Sequence, residues 1–403
     1  MLNHKNILDK FTDSELYQLT SELIKIPSYT GLAEQEKEIA TFIHDFFKTE
    51  NIQVEFQEPL ENRPNVIATL KGTGNGKSLM LTGHMDTVPP YNMINAPLSG
   101  EIADGKLYGR GACDMKGALA CMMGAMAAIK RSGIALDGDL VFAGVINEEQ
   151  KSEGTEYIVR NGPHTDAAIV GEPSGLQIAA GHRGLEWIEI DITGKTTHGG
   201  TPHEGINAIS KAAKLITSIE NDLVPKFKKR RHPLIGDPLL NFGVIEGGDQ
   251  PSSVAGRCKL FIDRRWTPLE SFDLIMDELR GLISDIKKED ANFNAQVKRY
   301  FADSNMMLHK PLEIDLNHPI INSLKRGIKI SLGRDPEIIS FLAWTDASLL
   351  SNYAKIPSVV FGPGHLKNAH SEDEFVDLSQ LKGAYESYVL TAMDFCDGDI
   401  GND

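Results

Sequence analysis

Apolar and polar positions run along this chain in two rhythms. Near the start, Leu16, Leu19 and Leu23 recur at helical spacing, with Asp13 and Ser14 as candidate caps. Ile39, Phe42, Ile43, Phe46 and Phe47 mark one face of a second helix. Residues 65–70 and 78–82 read as strands with a turn over 72–77 between them. Residues 115–130, rich in Ala and Met, read as a helix, and residues 139–146 and 167–170 as apolar strands. Apolar strands interleaved with helices predict an α/β sheet covered on both faces.

The rhythm changes near residue 182. Residues 185–192 alternate as a half-buried strand. A helix over 206–220, strands over 240–245 and 258–263, and a helix over 272–286 follow. That β-α-β-β-α order predicts a small ferredoxin-like α+β unit. After about residue 300 the α/β pattern returns, with a helix over 320–332 and an apolar strand over 356–361 that ends in Gly362-Pro363-Gly364. The expected organisation is one α/β domain, residues 1–181 and 299–403, interrupted by an inserted domain, residues 182–298. No internal repeat or low-complexity tail is visible, and 403 residues suit two or three domains at about 150 residues each.

Composition narrows the classes. With 41 Lys+Arg against 56 Asp+Glu, the formal charge is −15. This argues against a protein that coats nucleic acid or an anionic membrane. The basic run at 226–231 reads as a solvated loop. The longest nearly apolar run, 118–129, falls short of the roughly 20 residues that a membrane span needs. The N-terminus lacks a secretory pattern, and Cys113, Cys121, Cys258 and Cys396 form no CxxC, so reduced thiols and a cytoplasmic location are expected. The GTGNGKS stretch at 72–78 has Lys71 where a phosphate loop needs Gly, so a turn is expected there.

The polar chemistry gathers after apolar strands, where α/β sheets place their ligands. His84 and Asp86 share a face if the strand continues, with Asp86 orienting the imidazole. Asp114 either caps the Ala/Met helix or serves as a ligand. Glu148 and Glu149 repel one another unless a cation holds one or one is protonated. A metal on one leaves the other free as a general base. Glu172 precedes Pro173, and His365 and His370 compete for a ligand role near the C-terminus. Mixed His/carboxylate ligation suits Zn²⁺, and also Co²⁺ or Mn²⁺. A shared carboxylate would set two ions about 3.5–4 Å apart.

The segments GHMDTVP, GRGACDMKG, NEEQKSEGT, GEPS, THGGTPHEGINAI and GPG with the later AH, in this order, closely resemble the M20 family of metallopeptidases and deacylases. That group includes acetylornithine deacetylase, succinyl-diaminopimelate desuccinylase and aminoacylase. The resemblance implies a zinc-exopeptidase-like catalytic domain with a mixed sheet, interrupted by a ferredoxin-like lid and dimerisation domain. It implies two divalent ions bridged by Asp114, with His84 and Glu172 completing one site and Glu149 and His370 the other. Glu148 is then the general base and Asp86 the support of His84. His198 would reach the partner subunit's active site and stabilise the oxyanion, which implies a homodimer through residues 182–298; His203 reads as a surface residue. Arg265, in the family's D-x-R, and the turn containing Gly362 and Gly364 are the candidates to hold a substrate carboxylate, with Arg264 and Arg183 as alternatives. Where the family often has Asn-x-Val/Ile-Pro, this chain has Ser252-Ser253-Val254-Ala255, so the Asn contact is not carried over. The implied activity is removal of an acyl group from an N-acyl amino acid or related amine. A dipeptidase or carboxypeptidase fits the same residues. A non-catalytic binding protein on this fold would lack a ligand or the base.

Overall fold

A computed structural model describes residues 4–302 and 304–397. They form two compact units, one from residues up to 181 and from 313 onward, the other from residues 182–312. The second junction differs from the expected 298/299. The strand Ala295–Arg299 pairs with Gly184–Thr193, and the Leu185 N–H donates to the His309 carbonyl at 2.8 Å. The segment through His309 is therefore held by the inserted unit's own sheet.

The first unit is built on a mixed sheet, nine-stranded among the described residues. At its centre Leu140–Val145, Leu79–His84, Ala167–Val170 and Ser358–Val360 lie side by side and parallel. Every residue of these four strands is buried. Burial on both faces is why they read as unbroken apolar runs rather than as alternation. Parallel neighbours need crossovers, which the helices Gly117–Ser132 and Glu153–Asn161 supply. The hairpin Gln53–Leu60 and Arg63–Leu70 extends the sheet antiparallel at one edge.

Helix Gly117–Ser132 is buried from Gly117 to Ile129, and small residues let it lie close to the sheet. With the turn before it, the apolar stretch Ala112–Ser132 spans 21 residues, longer than the run noted in the sequence and long enough to cross a membrane. Its most apolar window is wholly buried within the protein, which accounts for it as a core helix. The first long helix, Asp13–Lys25, is capped by Thr12 rather than by Asp13 or Ser14. Thr12 Oγ1 accepts the Glu15 N–H, and Glu15 reaches back to the Thr12 N–H at 2.8 Å, a reciprocal capping box. On Lys37–Thr49, Ile39, Ile43 and Phe47 are buried while Phe42 and Phe46 are half-buried. The turn over 72–77 gives its Thr73, Gly74 and Asn75 N–H groups to the carbonyls of Leu136 and Asp137, so these amides are engaged within the fold.

The second unit is a four-stranded antiparallel sheet in the order Leu239–Gly247, Arg257–Trp266, Gly184–Thr193, Ala295–Arg299. Helices Ala208–Ser218 and Phe272–Glu289 pack on it, around Ile188, Ile190, Leu260, Ile262, Leu215 and Leu279. The strand Ala295–Arg299, which sequence reading passed over, completes the ferredoxin-like β-α-β-β-α-β order.

Candidate metal centre

Parallel strands share a direction, so their C-terminal ends lie along one sheet edge. His84 is the last residue of its strand and pairs with Val145, the last of the next. The strand does not continue, so Asp86 lies beyond it and the expected i, i+2 relation does not arise. The Asp86 backbone carbonyl accepts from His84 Nδ1 at 2.9 Å instead, with the carboxylate 3.7 Å away. The Asp86 carboxylate accepts the N–H groups of Glu148 and Glu149, each at 3.1 Å. Asp86 thus fixes the imidazole with its main chain and the adjacent acidic pair with its side chain.

Asp114 caps no helix. It sits at φ −128°, ψ 94° in an irregular turn before Gly117–Ser132. One carboxylate oxygen is 3.0 Å from His84 Nε2 and the other is 3.3 Å from His370 Nε2. A carboxylate with each oxygen on a different imidazole has the disposition of a bridge. His370 Nε2 also lies 3.0 Å from Glu149 Oε1, and Glu172 Oε1 lies 3.7 Å from His84 Nε2. The two histidines that competed in the sequence separate here. His365 pairs with Gln380, while His370 joins the cluster with φ +58°, a left-handed backbone uncommon outside glycine.

Two sets have donor atoms within 4.8 Å of one another: His84, Glu148 and Glu172, and His84, Asp114 and Glu149. All these residues are buried or half-buried. Burial opposes charge on His84, yet Asp114, Glu172 and Asp86 outweigh it and raise its pKa. Contacts with Asp114 and Glu149 raise His370 to about 10. Burial would lift Asp114, but His370 and His84 hold it low. Burial pushes Glu148 and Glu172 well up, reinforced by Glu172 on Glu148 and by Asp114 on Glu172, and lifts Asp86 to about 7. Protein alone therefore neutralises this cluster only by holding extra protons. Imidazole and carboxylate donors crowded in this way are the donor set that a borderline divalent cation takes.

Three supports were missed in the sequence. Asp346 is buried, accepts from Thr155 Oγ1 at 2.6 Å, and is pushed by burial to about 6. In sequence it is one acid before a short helix and looks like a cap. Glu36 is buried, holds Arg63 through two contacts of 2.6 Å and accepts the Asn147 N–H at 3.1 Å, which braces the strand end before Glu148. Glu374 lies in an acidic run, Ser371-Glu-Asp-Glu374, that reads as solvated surface yet is fully buried at Glu374.

Residues 80–394 match the sequence model of peptidase family M20/M25/M40. The chain belongs to that family. It is a hydrolase fold for amide bonds, with peptidase and deacylase relatives. It is 30% identical over 94% of its length to 93% of N-formyl-4-amino-5-aminomethyl-2-methylpyrimidine deformylase of Bacillus subtilis strain 168. It is also 30% identical over 95% of its length to 96% of acetylornithine deacetylase of Proteus mirabilis. The solved aminopeptidase PepT of Bacillus cereus shares the fold with a TM-score of 0.79 at 22% identity, covering 96% of this chain and 99% of that one.

The remaining expected site residues have other surroundings. Gly362 and Gly364 donate their N–H groups to Ser174 Oγ at 3.1 Å and Gln380 Oε1 at 2.7 Å. With Pro363 between them, the turn has no amide left for a substrate carboxylate. Glycine is needed there for packing: a Cβ on Gly362 would sit 2.1 Å from the Gly171 carbonyl oxygen, and one on Gly364, at φ +87°, 2.6 Å from Cys113 Sγ. In the second unit Arg265 forms a two-point pair with Asp263 at 2.7 and 3.0 Å. Arg264 is buried against Glu270, and Arg183 donates to the Asp237 carbonyl at 2.7 Å. His198 is exposed, and its Nδ1 accepts the Gly200 N–H at 3.1 Å; His203 is exposed on a short turn.

Proposed function

We propose that this M20 hydrolase removes a small acyl group, such as formyl, acetyl or succinyl, from an N-acyl amino acid or related amine. The observation that carries the metal-dependent hydrolysis is Asp114, whose two carboxylate oxygens face different histidines, with Glu149 and Glu172 beside them. His84, Asp114 and Glu172 would hold one divalent ion, and Asp114, Glu149 and His370 a second; Zn²⁺ is the first candidate, then Co²⁺ and Mn²⁺. Bound ions supply Lewis acidity to the amide carbonyl and lower the proton affinity of water. Glu148 accepts the proton of the attacking water and returns it to the leaving amine. The relatives at 30% identity, a deformylase and a deacetylase, support the acyl side of the family over the peptidase side.

His198 is the proposed oxyanion donor. A backbone N–H on Nδ1 makes that nitrogen an acceptor, so the ring proton resides on Nε2, where a donor is required. A homodimer through the second unit is the matching assembly. Its edge strand Leu239–Gly247 exposes about half of Leu239, Val244 and Ile245, an apolar edge of the kind that seeks a strand. A cytoplasmic setting agrees with four free, buried cysteines.

The test is a hydrolysis screen of N-formyl, N-acetyl and N-succinyl amino acids beside dipeptides, using chelated protein reloaded with Zn²⁺, Co²⁺ or Mn²⁺. Metal-dependent release of the free acid supports the proposal. Turnover confined to dipeptides would replace it with the peptidase reading.

A further inference from the structure

The turn that carries Asp114 is irregular, and its own backbone takes up the N–H groups of Ala112 and Lys116 at the carbonyls of Gly109 and Gly111 but leaves others to be satisfied elsewhere. Glu374 takes three of these. Its Oε1 accepts the N–H groups of Gly111 and Cys113 at 3.0 Å and of Asp114 at 3.1 Å. Its Oε2 pairs with Arg110 Nη1, and its carbonyl accepts the Gly109 N–H at 3.1 Å. Both charged side chains are almost fully buried, so each compensates the charge of the other. Arg110 also reaches the carbonyl of Ser371, next to His370, at 3.4 Å.

The local ladder explains why these segments meet. Phe375–Asp377 pairs antiparallel with Lys106–Tyr108, placing Phe375 opposite Tyr108. From that pair one segment runs forward through Gly109 to Asp114, while the other runs backward through Glu374 to His370. Both leave the ladder side by side, and Glu374 and Arg110 cross-link them before their ends meet at Asp114 Oδ2 and His370 Nε2.

We infer that Glu374 is a positioning residue that makes the Asp114–Glu149–His370 metal position assemble as a unit. The inference rests on the dinuclear reading above. The other position takes His84 from the last residue of a buried parallel strand, where sheet register holds it, and Glu172 from two residues past the neighbouring strand Ala167–Val170, whose exit is held by the Gly171 N–H on the Thr82 carbonyl at 3.0 Å. The position with His370 takes one ligand from an irregular turn and one from a half-exposed segment, and Glu374 ties both. Loosening Glu374 disturbs Asp114 for both ions but misplaces a second ligand for only one.

The test uses Glu374→Asp and Glu374→Gln, with Zn²⁺ titrated calorimetrically into chelated full-length protein. Glu374→Gln leaves the Arg110 charge uncompensated and endangers folding. Glu374→Asp keeps the charge and draws the carboxylate back from the three amides, so it carries the test, with circular dichroism confirming the fold. The expected result is two classes of Zn²⁺ site in the wild type. In Glu374→Asp one class should weaken by about tenfold or more, the scale of losing a support behind a metal ligand, while the other stays within about threefold. Equal weakening of both classes, or of neither, overturns the inference while leaving the dinuclear reading in place. A wild type that takes up a single equivalent overturns both.

Discussion

Glu148 and Glu149 are adjacent in sequence and alike in chemistry, and their surroundings separate them. Glu149 lies against His370, whereas Glu148 lies with Glu172 and His84 and is pushed well above the usual carboxylate range by burial and Glu172. Glu148→Ala should therefore keep its metal and lose about 10³-fold in kcat, within the range for a general base. Metal analysis with steady-state kinetics checks this, and activity within tenfold of wild type would reassign the base. Asp86→Asn tests the clip: an amide cannot accept at both oxygen positions that now receive the Glu148 and Glu149 N–H groups. The expected loss is about 10–100-fold in metal affinity or kcat. An unchanged Zn²⁺ titration and kcat would show that the clip is dispensable. The residue types of this site were legible because His84, Asp114, Glu148, Glu149, Glu172 and His370 recur near strand ends as an ensemble, in segments that match the family's order, whereas each alone reads as a loop or a cap. Glu374 and Asp346 were not, because a buried acid and a solvated one look the same in sequence.

Among the elements, four buried parallel strands aim the ligand-bearing loops at one edge. Their apolar runs made them readable, and the crossover helices were readable from their periodicity. The strand Gln53–Leu60 was passed over because, as an exposed edge with Pro59, it has too little apolar contrast. Gly362 belongs at this scale, since it brings the end of Ser358–Val360 against the carbonyls of Gly171 and Glu172. Gly362→Ala should cost about 2–3 kcal/mol through overpacking, and should weaken metal binding because the displaced backbone is that of Glu172. Urea unfolding and Zn²⁺ titration test this together; wild-type values in both would show that the turn yields freely.

At the scale of the molecule, the acidity that first argued against nucleic acid has a local part in the buried carboxylates of one sheet edge. A separate consequence lies in the second unit. His309 is pushed down to about 3 from its ordinary 6.5 by burial and by Arg299, Arg265 and His182. Between these values the unfolded chain binds a proton that the folded chain refuses. Stability should thus fall as pH drops from about 7 toward 3, with no contribution from this group above 7. The expected loss between pH 7 and 5 is about 2 kcal/mol. His309→Asn should show a correspondingly smaller drop in urea midpoint over that range. An identical drop in variant and wild type would remove His309 as a cause.

Sequence alone determined that this is an α/β chain with an α+β insertion and which residue types could hold metals, because period and composition are local properties. The tertiary structure decided which candidates meet. It set His370 rather than His365 beside Asp114 and Glu149 and put Asp114 between two histidines, an arrangement that the family resemblance implied but that residue pattern alone left open, and it engaged the amides of Gly362 and Gly364 within the fold. It also placed Glu374 under Asp114, 260 positions away in the chain. Such choices depend on strand order, register and the need of every buried donor for an acceptor, and those relations exist only between segments that are remote in sequence.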